Sequence, residues 1–215
     1  MNATKEKILM TALRLFARDG YEAVSVSTLA GEIGMTKGAL YKHYKSKRDI
    51  FDSIVERMYR IDAEHSRQYA VPEESYEANA AAYGDVSCKS LRDFTLAQFD
   101  FWTGDDFARD FRRMLTLEQY RDPEIGELYR NCLTAGPVAY VESIFRVMVE
   151  KGRIAGNDPE RLALEFYAPF YLLVSLSDTP GERENALQLL GRHVEDFMSR
   201  YTVKEKGKEE PKWNT

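Results

Sequence analysis

The chain has 215 residues, 44% hydrophobic and 30% charged, enough for one large or two small domains around a real core, which excludes a stapled mini-protein and wholesale disorder. Its two cysteines, Cys88 and Cys132, exclude a disulfide framework and a CxxC metal site and fit a reducing, cytoplasmic setting. The formal net charge is −5, yet residues 1–50 carry nine Lys/Arg against five Asp/Glu, which makes that segment +4 and leaves −9 for the rest. Such asymmetry points to an anionic partner for one end of the molecule.

The first residues interrupt their apolar positions with Lys5, Glu6, Lys7 and Arg14, so neither a signal core nor an anchor is predicted there, and no membrane partner. Over 4–19, Ile8, Leu9, Ala12, Leu13, Leu15 and Phe16 recur at helical spacing, and Asp19-Gly20 supplies a stop. A short second helix opens after Ser25 as N-cap and buries Val26, Leu29, Ala30 and Ile33. Gly34-Met35 makes a tight turn, and Thr36 caps a third helix over about 37–44 with Leu40 and Tyr44 facing inward. Two short helices joined in this way form a helix-turn-helix.

A fourth helix starts near Lys47, buries Ile50, Phe51, Ile54, Val55 and Met58, and runs toward Tyr69, a length of roughly 30 Å. No proline precedes Pro72, so the composition changes there. The segment 71–87 reads as a connector with a helical turn over 75–83. Further helices follow at about 88–103, 105–120, 122–151, 158–178 and 180–201, and no convincing strand appears. Pro137 and Pro169 fall inside apolar helical patterns and predict kinks or breaks. The predicted fold is all-α, with a charged, solvated tail over 203–215.

The stretch from Lys37 to Arg48, KGALYKHYKSKR, has five Lys/Arg, no acid, and Tyr41, His43 and Tyr44 interleaved. A helix of about eight residues fits a major groove, where this one would present Thr36, Lys37, Tyr41, Lys42 and His43. Gly38 lets the backbone approach a duplex, and Ser25, Ser27 and Thr28 offer hydroxyls and helix-end amides to phosphate.

The run from Ala12 to Asp49 resembles the N-terminal domain of the TetR family of one-component repressors. Phe16, Gly20, Tyr21, Val26, Leu29, Ala30, Gly34, Thr36, Gly38, Leu40, Tyr41, Tyr44, Ser46 and Lys47 fall on that pattern. Ser27 departs from it, at a position where many relatives carry a longer side chain. The resemblance implies three parts: a helix-turn-helix domain over 1–47, a helical ligand-binding and dimerisation domain over 48–202 joined by the long fourth helix, and the tail. It also implies a homodimer bound to a palindromic double-stranded operator and released by a small-molecule effector, with Lys47 as a phosphate contact and no cofactor.

The aromatic residues between 94 and 171 fit either an aromatic pocket or a plain core. Candidate ligand contacts are Phe99, Trp102, Phe111, Met114, Tyr140 and Phe170, with Gln98 and Arg113 as polar partners. His65 reads as a packing residue and both cysteines as structural. For dimerisation the last two helices offer Leu162, Leu164, Phe166, Phe170, Leu172 and Leu173, then Ala186, Leu189, Leu190, Val194, Phe197 and Met198, with intrachain packing as the alternative. No catalytic constellation, phosphate-binding glycine loop or HExxH spacing is present. The sequence therefore favours a ligand-responsive regulator over an enzyme, and leaves a DNA-binding adaptor without a ligand as the second reading.

Overall fold

The computed structural model describes residues 3–76 and 78–203. The tail expected over 203–215 therefore lies outside the described residues except for Val203. Eleven helices occur among the described residues: α1 Ala3–Asp19, α2 Val26–Glu32, α3 Lys37–Tyr41, α4 Lys47–Gln68, α5 Ala80–Tyr83, α6 Cys88–Gly104, α7 Asp106–Glu118, α8 Pro123–Leu133, α9 Ala135–Glu150, α10 Pro159–Leu176 and α11 Arg183–Tyr201. Extended pairing among them is limited to one bridge between Ile154 and Thr202.

The helix starts follow their capping residues. Ser25, Thr36, Ser46, Ser87, Asp105, Asp122 and Asp158 each accept a first-turn backbone N–H from the helix that follows, satisfying donors that have no intrahelical partner. Gly20 and Gly34 sit at φ +90° and +72°, conformations that end α1 and turn α2 into α3 without a Cβ penalty. The three-helix head closes over Ile8, Leu13, Phe16, Leu29, Leu40 and Tyr44, with Ile50, Phe51 and Ile54 of α4 completing it. The Tyr44 hydroxyl donates to Lys5 O at 3.3 Å, and burial pushes its pKa up to about 12.

Two features differ from expectation. The third helix ends at Tyr41 rather than Tyr44, because the chain passes through a 42–43 turn to Ser46, the cap of α4. The expected single helix over 122–151 divides at Thr134, which has φ −133° and ψ −90°. Pro137 lacks the N–H that Leu133 O would accept, and its ring crowds that carbonyl, so the break falls one residue later. The two helices then close tightly: a Cβ on Gly136 would stand 2.0 Å from Asn131 O. Pro169, by contrast, leaves α10 unbroken; it removes one bond, to Glu165 O, while α9 and α11 pack along the rest of the helix.

By composition Pro123–Glu150 reaches the mean hydropathy of a membrane-crossing helix, 1.3 over 18 residues. The break divides it, and Ile125, Leu133, Val141, Ile144, Phe145 and Met148 turn into the core. Behind them the larger domain is held by an aromatic cluster from three helices: Phe145 lies 5.5 Å from Phe166 and 5.4 Å from Phe197, and Phe166 lies 5.0 Å from Phe197, centroid to centroid.

The residues named for dimerisation separate into two faces. Leu162, Phe166, Phe170, Leu173, Ala186, Leu190, Val194 and Phe197 are buried within the chain, so for them intrachain packing is correct. Met198 is half-buried. Leu164 and Leu172, each 57% exposed, and Leu189 remain outside, joined by Tyr171 and Leu176. On α10 these fall at i, i+7, i+8 and i+12, one stripe on the outer side of the helix.

Candidate DNA-reading head and ligand cavity

The head presents one solvent-facing basic surface. Ser25, Ser27, Thr36, Lys37, Gly38, Tyr41 and Lys42 are exposed, and His43 is half-buried beside them, while Leu40 and Tyr44 beneath them are fully packed. Gly38 has open space where a Cβ would stand, so the backbone of α3 is bare on that side. The Lys37 ammonium lies 6.0 Å from the Tyr41 ring centroid. Ser25 Oγ accepts from Thr28 N at 3.0 Å and Thr36 Oγ1 from Ala39 N at 3.2 Å, so each fixes a helix start, and the Ser25 and Thr28 hydroxyls share a further bond of 2.8 Å. Gly31 is exposed with nothing within 4 Å of its Cβ position, and nothing in the structure requires a glycine there.

Lys47 is less free than the sequence suggested. Its ammonium donates to Tyr21 O at 2.9 Å and sits 4.2 Å from the centroid of the Tyr21 ring, which leaves two N–H groups for another acceptor. The Tyr21 backbone N–H in turn donates to Glu118 Oε1 of α7 at 3.1 Å, and Glu118 is fully buried. Arg48 forks onto both carboxylate oxygens of Glu124 on α8 and also pairs with Asp52 at 2.6 Å. One side of the head is therefore cationic and open, and the opposite side is clamped to α7 and α8.

The larger domain encloses a cavity of about 290 Å³, close to the lower size of small-molecule sites. Met58, Tyr59, Asp62 and Ser66 of α4 form one wall; Leu91, Phe94, Thr95, Gln98 and Trp102 of α6 form the second. Asn131 and Cys132 end α8, Gly136, Pro137, Tyr140 and Val141 open α9, and Phe166, Tyr167 and Phe170 come from α10. The break at Thr134 thus opens part of the wall. A broader groove of about 780 Å³, bordered by His65, Asp100, Arg109 and Arg183, lies outside and is crossed by the Arg183–Asp100 ion pair. His65 packs edge-on against Phe101, 4.8 Å between centroids, in keeping with a packing role.

Of the sequence candidates, Gln98, Trp102, Tyr140 and Phe170 line the cavity. Phe99, Phe111 and Met114 do not: they are fully buried in the core, with Phe99 packed on the back of Phe170 at 6.1 Å. Arg113 is also removed from it, on the surface and bound to Asp178 at 3.1 Å. The α4 wall went unread, although its signal was present. Ile54, Met58, Asp62 and Ser66 succeed one another at i+4, so an acid sits in the apolar stripe of a buried helix face.

The polar groups of this cavity are unequal. Tyr140 and Tyr167 donate their hydroxyls to Pro72 O and Leu133 O, each at 2.9 Å, and Thr95 donates to Leu91 O at 2.8 Å. The Asp62 carboxylate accepts from Gln98 Nε2 at 3.3 Å, and Gln98 Oε1 is buried without a partner. Burial pushes the Asp62 pKa up against the pull of that bond, and it raises the Cys132 thiol to about 12. Asp62 lines the cavity and stays exposed, while the protein packed around that face lowers the hydration that normally stabilises a carboxylate.

Residues 8–54 match the family model described as bacterial regulatory proteins, tetR family. This chain is 45% identical over 56 residues to the HTH-type transcriptional regulator YerO of Bacillus subtilis, 26% of this chain and 19% of that one. It is 43% identical over 53 residues to the HTH-type transcriptional regulator AcrR of Shigella flexneri, 25% of each chain. The matched segment thus spans a quarter or less of these two relatives and lies in the head. Across nearly the whole length, the fold is similar to that of SmeT, the repressor of the Stenotrophomonas maltophilia multidrug efflux pump SmeDEF. In its triclosan complex the TM-score is 0.67 at 18% identity, covering 96% of this chain and 94% of that one. Residues 8–54 thus carry the sequence of a tetR-family reading head, and the helical architecture around that head is similar to the fold of SmeT.

Proposed function

We propose that the protein is a ligand-responsive repressor that binds a palindromic operator as a homodimer and leaves it when a small hydrophobic or aromatic molecule enters the cavity of the larger domain. The observation that carries this reading is the course of α4. The helix begins beside the reading surface at Lys47 and Arg48 and ends as a wall of the cavity at Met58, Asp62 and Ser66, so one rigid element meets both sites. Division into a reading domain over 1–47 and a sensor over 48–202 belongs to the same proposal.

On the operator, α3 enters the major groove with Lys37, Tyr41, Lys42 and His43 while Gly38 admits the sugar-phosphate backbone. Ser25, Ser27, Thr36 and the two spare protons of Lys47 meet phosphates. The exposed stripe Leu164, Tyr171, Leu172 and Leu176, with Leu189 on α11, supports dimerisation through the last two helices, because an apolar surface of that kind gains by being covered. Pairing two heads places them on half-sites about 34 Å apart or a multiple of it. A ligand that prefers the conformer with another spacing lowers operator affinity by its differential affinity for the two states. The triclosan complex of SmeT offers a precedent for a small aromatic ligand in this fold.

The test uses the full-length protein and an operator selected from random duplexes. Thermal-shift screening against hydrophobic, aromatic and cationic compounds identifies ligands, since one at 100 times its Kd adds ~2.7 kcal/mol. Hits that also release the operator support the repressor reading. Hits without release break the proposed coupling, and selected DNA binding with no hit transfers the function to a regulator without a ligand.

A further inference from the structure

The cavity is not neutral toward the charge of what enters it. Among the described residues, no arginine, lysine or histidine lines it. Of its two acids, Glu73 at the rim is paired with Arg67 at 2.7 Å. Asp62 has no ion-pair partner among the described residues; its carboxylate meets the amide of Gln98. His65, one turn along α4, is the nearest group able to carry positive charge, but its ring is turned to Phe101 and the outer groove.

Several polar groups of the lining are already engaged. The hydroxyl protons of Thr95, Tyr140 and Tyr167 are spent on backbone carbonyls. Gln98 must point its amide N–H toward the carboxylate, since the reverse orientation would oppose two acceptors, and this leaves Oε1 buried and unpartnered in a residue 8% exposed. Two acceptors, Asp62 and Gln98 Oε1, thus stand on adjoining walls, beside the Tyr59 and Ser66 hydroxyls and the Asn131 amide, which carry no charge and can donate as well as accept. The aromatic rings of Trp102, Tyr140, Tyr167 and Phe170 share the lining, and a ring face attracts a cation and repels an anion.

We propose that the cavity selects a lipophilic cation, a substituted ammonium or amidinium carried on an aromatic or aliphatic body of modest size, with Asp62 as its counter-ion. This rests on the ligand-responsive reading and specifies its ligand class. A carboxylate or phosphate ligand would place a second anion beside Asp62 with no cation to offset it. A neutral ligand would cover the carboxylate and bring no charge to offset it. A cation removes both costs, because the charge that Asp62 lacks arrives with the ligand.

Three compounds of nearly one shape separate the possibilities: benzyltrimethylammonium, its carbon isostere neopentylbenzene, and the anion 4-tert-butylbenzoate. Affinities are measured by calorimetry and thermal shift on full-length wild type, Asp62→Asn and Asp62→Glu, with operator release recorded for each compound that binds. Wild type should bind the cation at least about tenfold more tightly than the isostere, and the anion most weakly. Asp62→Asn should lose that preference while keeping its affinity for neopentylbenzene, which also reports that the cavity remains folded, and Asp62→Glu should restore part of the preference. Equal binding of cation and isostere by wild type, a preference unchanged in Asp62→Asn, or tighter binding of the anion would overturn the proposal. If neopentylbenzene alone binds and releases operator, the ligand-responsive reading stands and the cation class falls; if none of the three binds at millimolar concentration, the cation class falls and the screen above decides the rest.

Discussion

The reading head and the cavity treat their polar groups in opposite ways. In the head, hydroxyls close helix starts, Lys47 is held on Tyr21, and the cations of α3 face solvent in full hydration. In the cavity, the hydroxyls of Thr95, Tyr140 and Tyr167 are turned to backbone carbonyls, and the Asp62 carboxylate and Gln98 Oε1 are left without a cationic partner on a largely aromatic lining. A surface that must accept many phosphates works with hydrated charge and loses counterions on binding. A cavity that must distinguish small molecules works by leaving a few buried groups unsatisfied until the right partner arrives.

The largest expected effect tests whether the heads act in pairs. Leu172→Glu, and the pair Leu164→Glu/Leu172→Glu, should convert dimer to monomer in light scattering and lower operator affinity by about 10²- to 10⁴-fold, the avidity that a second linked head contributes. Dimers of unchanged affinity would move the interface off the α10 stripe.

Next in size is the difference between aromatics that fill the core and aromatics that face the cavity. Phe111→Ala should cost about 3–5 kcal/mol in denaturant unfolding, as loss of a fully packed ring does. Trp102→Ala should cost less than about 3 kcal/mol, because part of that ring already borders open space, yet it should change ligand affinity. If Phe111→Ala alters ligand selectivity and Trp102→Ala does not, the assignment of the cavity is wrong.

That pair also shows where sequence reading stopped. The caps at Ser25, Thr36 and Ser46, the stop at Gly20 and the head core are local, and each was legible from residues within one turn. The candidate ligand contacts were not all legible, because Phe99 and Trp102 lie three residues apart on α6 and differ only in which neighbour their faces meet. Phe99 backs onto Phe170, whereas Trp102 borders a void opened by the break at Thr134. Pro137 announced that break, but its effect on the wall depends on how α4 crosses it. Asp62 could have been found, since an acid in the Ile54–Met58–Ser66 stripe violates the pattern of a buried helix face.

The reading surface is tested more gently through salt. Lys47→Ala should lower the slope of log affinity against log salt by about 0.9, the loss of one phosphate contact, and should also cost about 1 kcal/mol of stability through Tyr21. Lys37→Ala and Lys42→Ala should change the slope without the stability loss. A Lys47 variant that is destabilised with an unchanged slope would confine this lysine to the fold.

The carboxylates give a pH contrast. Burial raises the Asp62 pKa, so the native state holds that proton more tightly than the unfolded chain does, and its contribution to stability is lost as pH rises through the raised value. Asp62→Asn should therefore be more stable than wild type near neutral pH, with the difference closing as pH falls below the ordinary aspartate value of about 3.9. Tyr59, His65, Glu73, Cys132, Tyr140 and Tyr167 are the titratable groups around this site among the described residues, so the comparison is made as a difference between the two proteins. A gap that is independent of pH would mean that Asp62 is hydrated.

The smallest effect concerns the clamp between head and body. Arg48 and Glu124 are each about half-exposed or more, at 46% and 65%, so their bond should contribute only about 0.2–1 kcal/mol to stability in a double-mutant cycle. Its position matters more than its strength. α4 and α8 are joined by this pair at the head and reach the cavity at Asp62 and Asn131, so a ligand that separates the cavity ends turns the head about the clamped ends. Arg48→Ala and Glu124→Ala should leave ligand affinity and dimerisation unchanged, while reducing the ligand's effect on operator affinity. The Arg48→Glu/Glu124→Arg exchange should restore part of it. Full ligand response in both single variants would mean that the signal passes through α1 and α7, where Glu118 holds the Tyr21 amide.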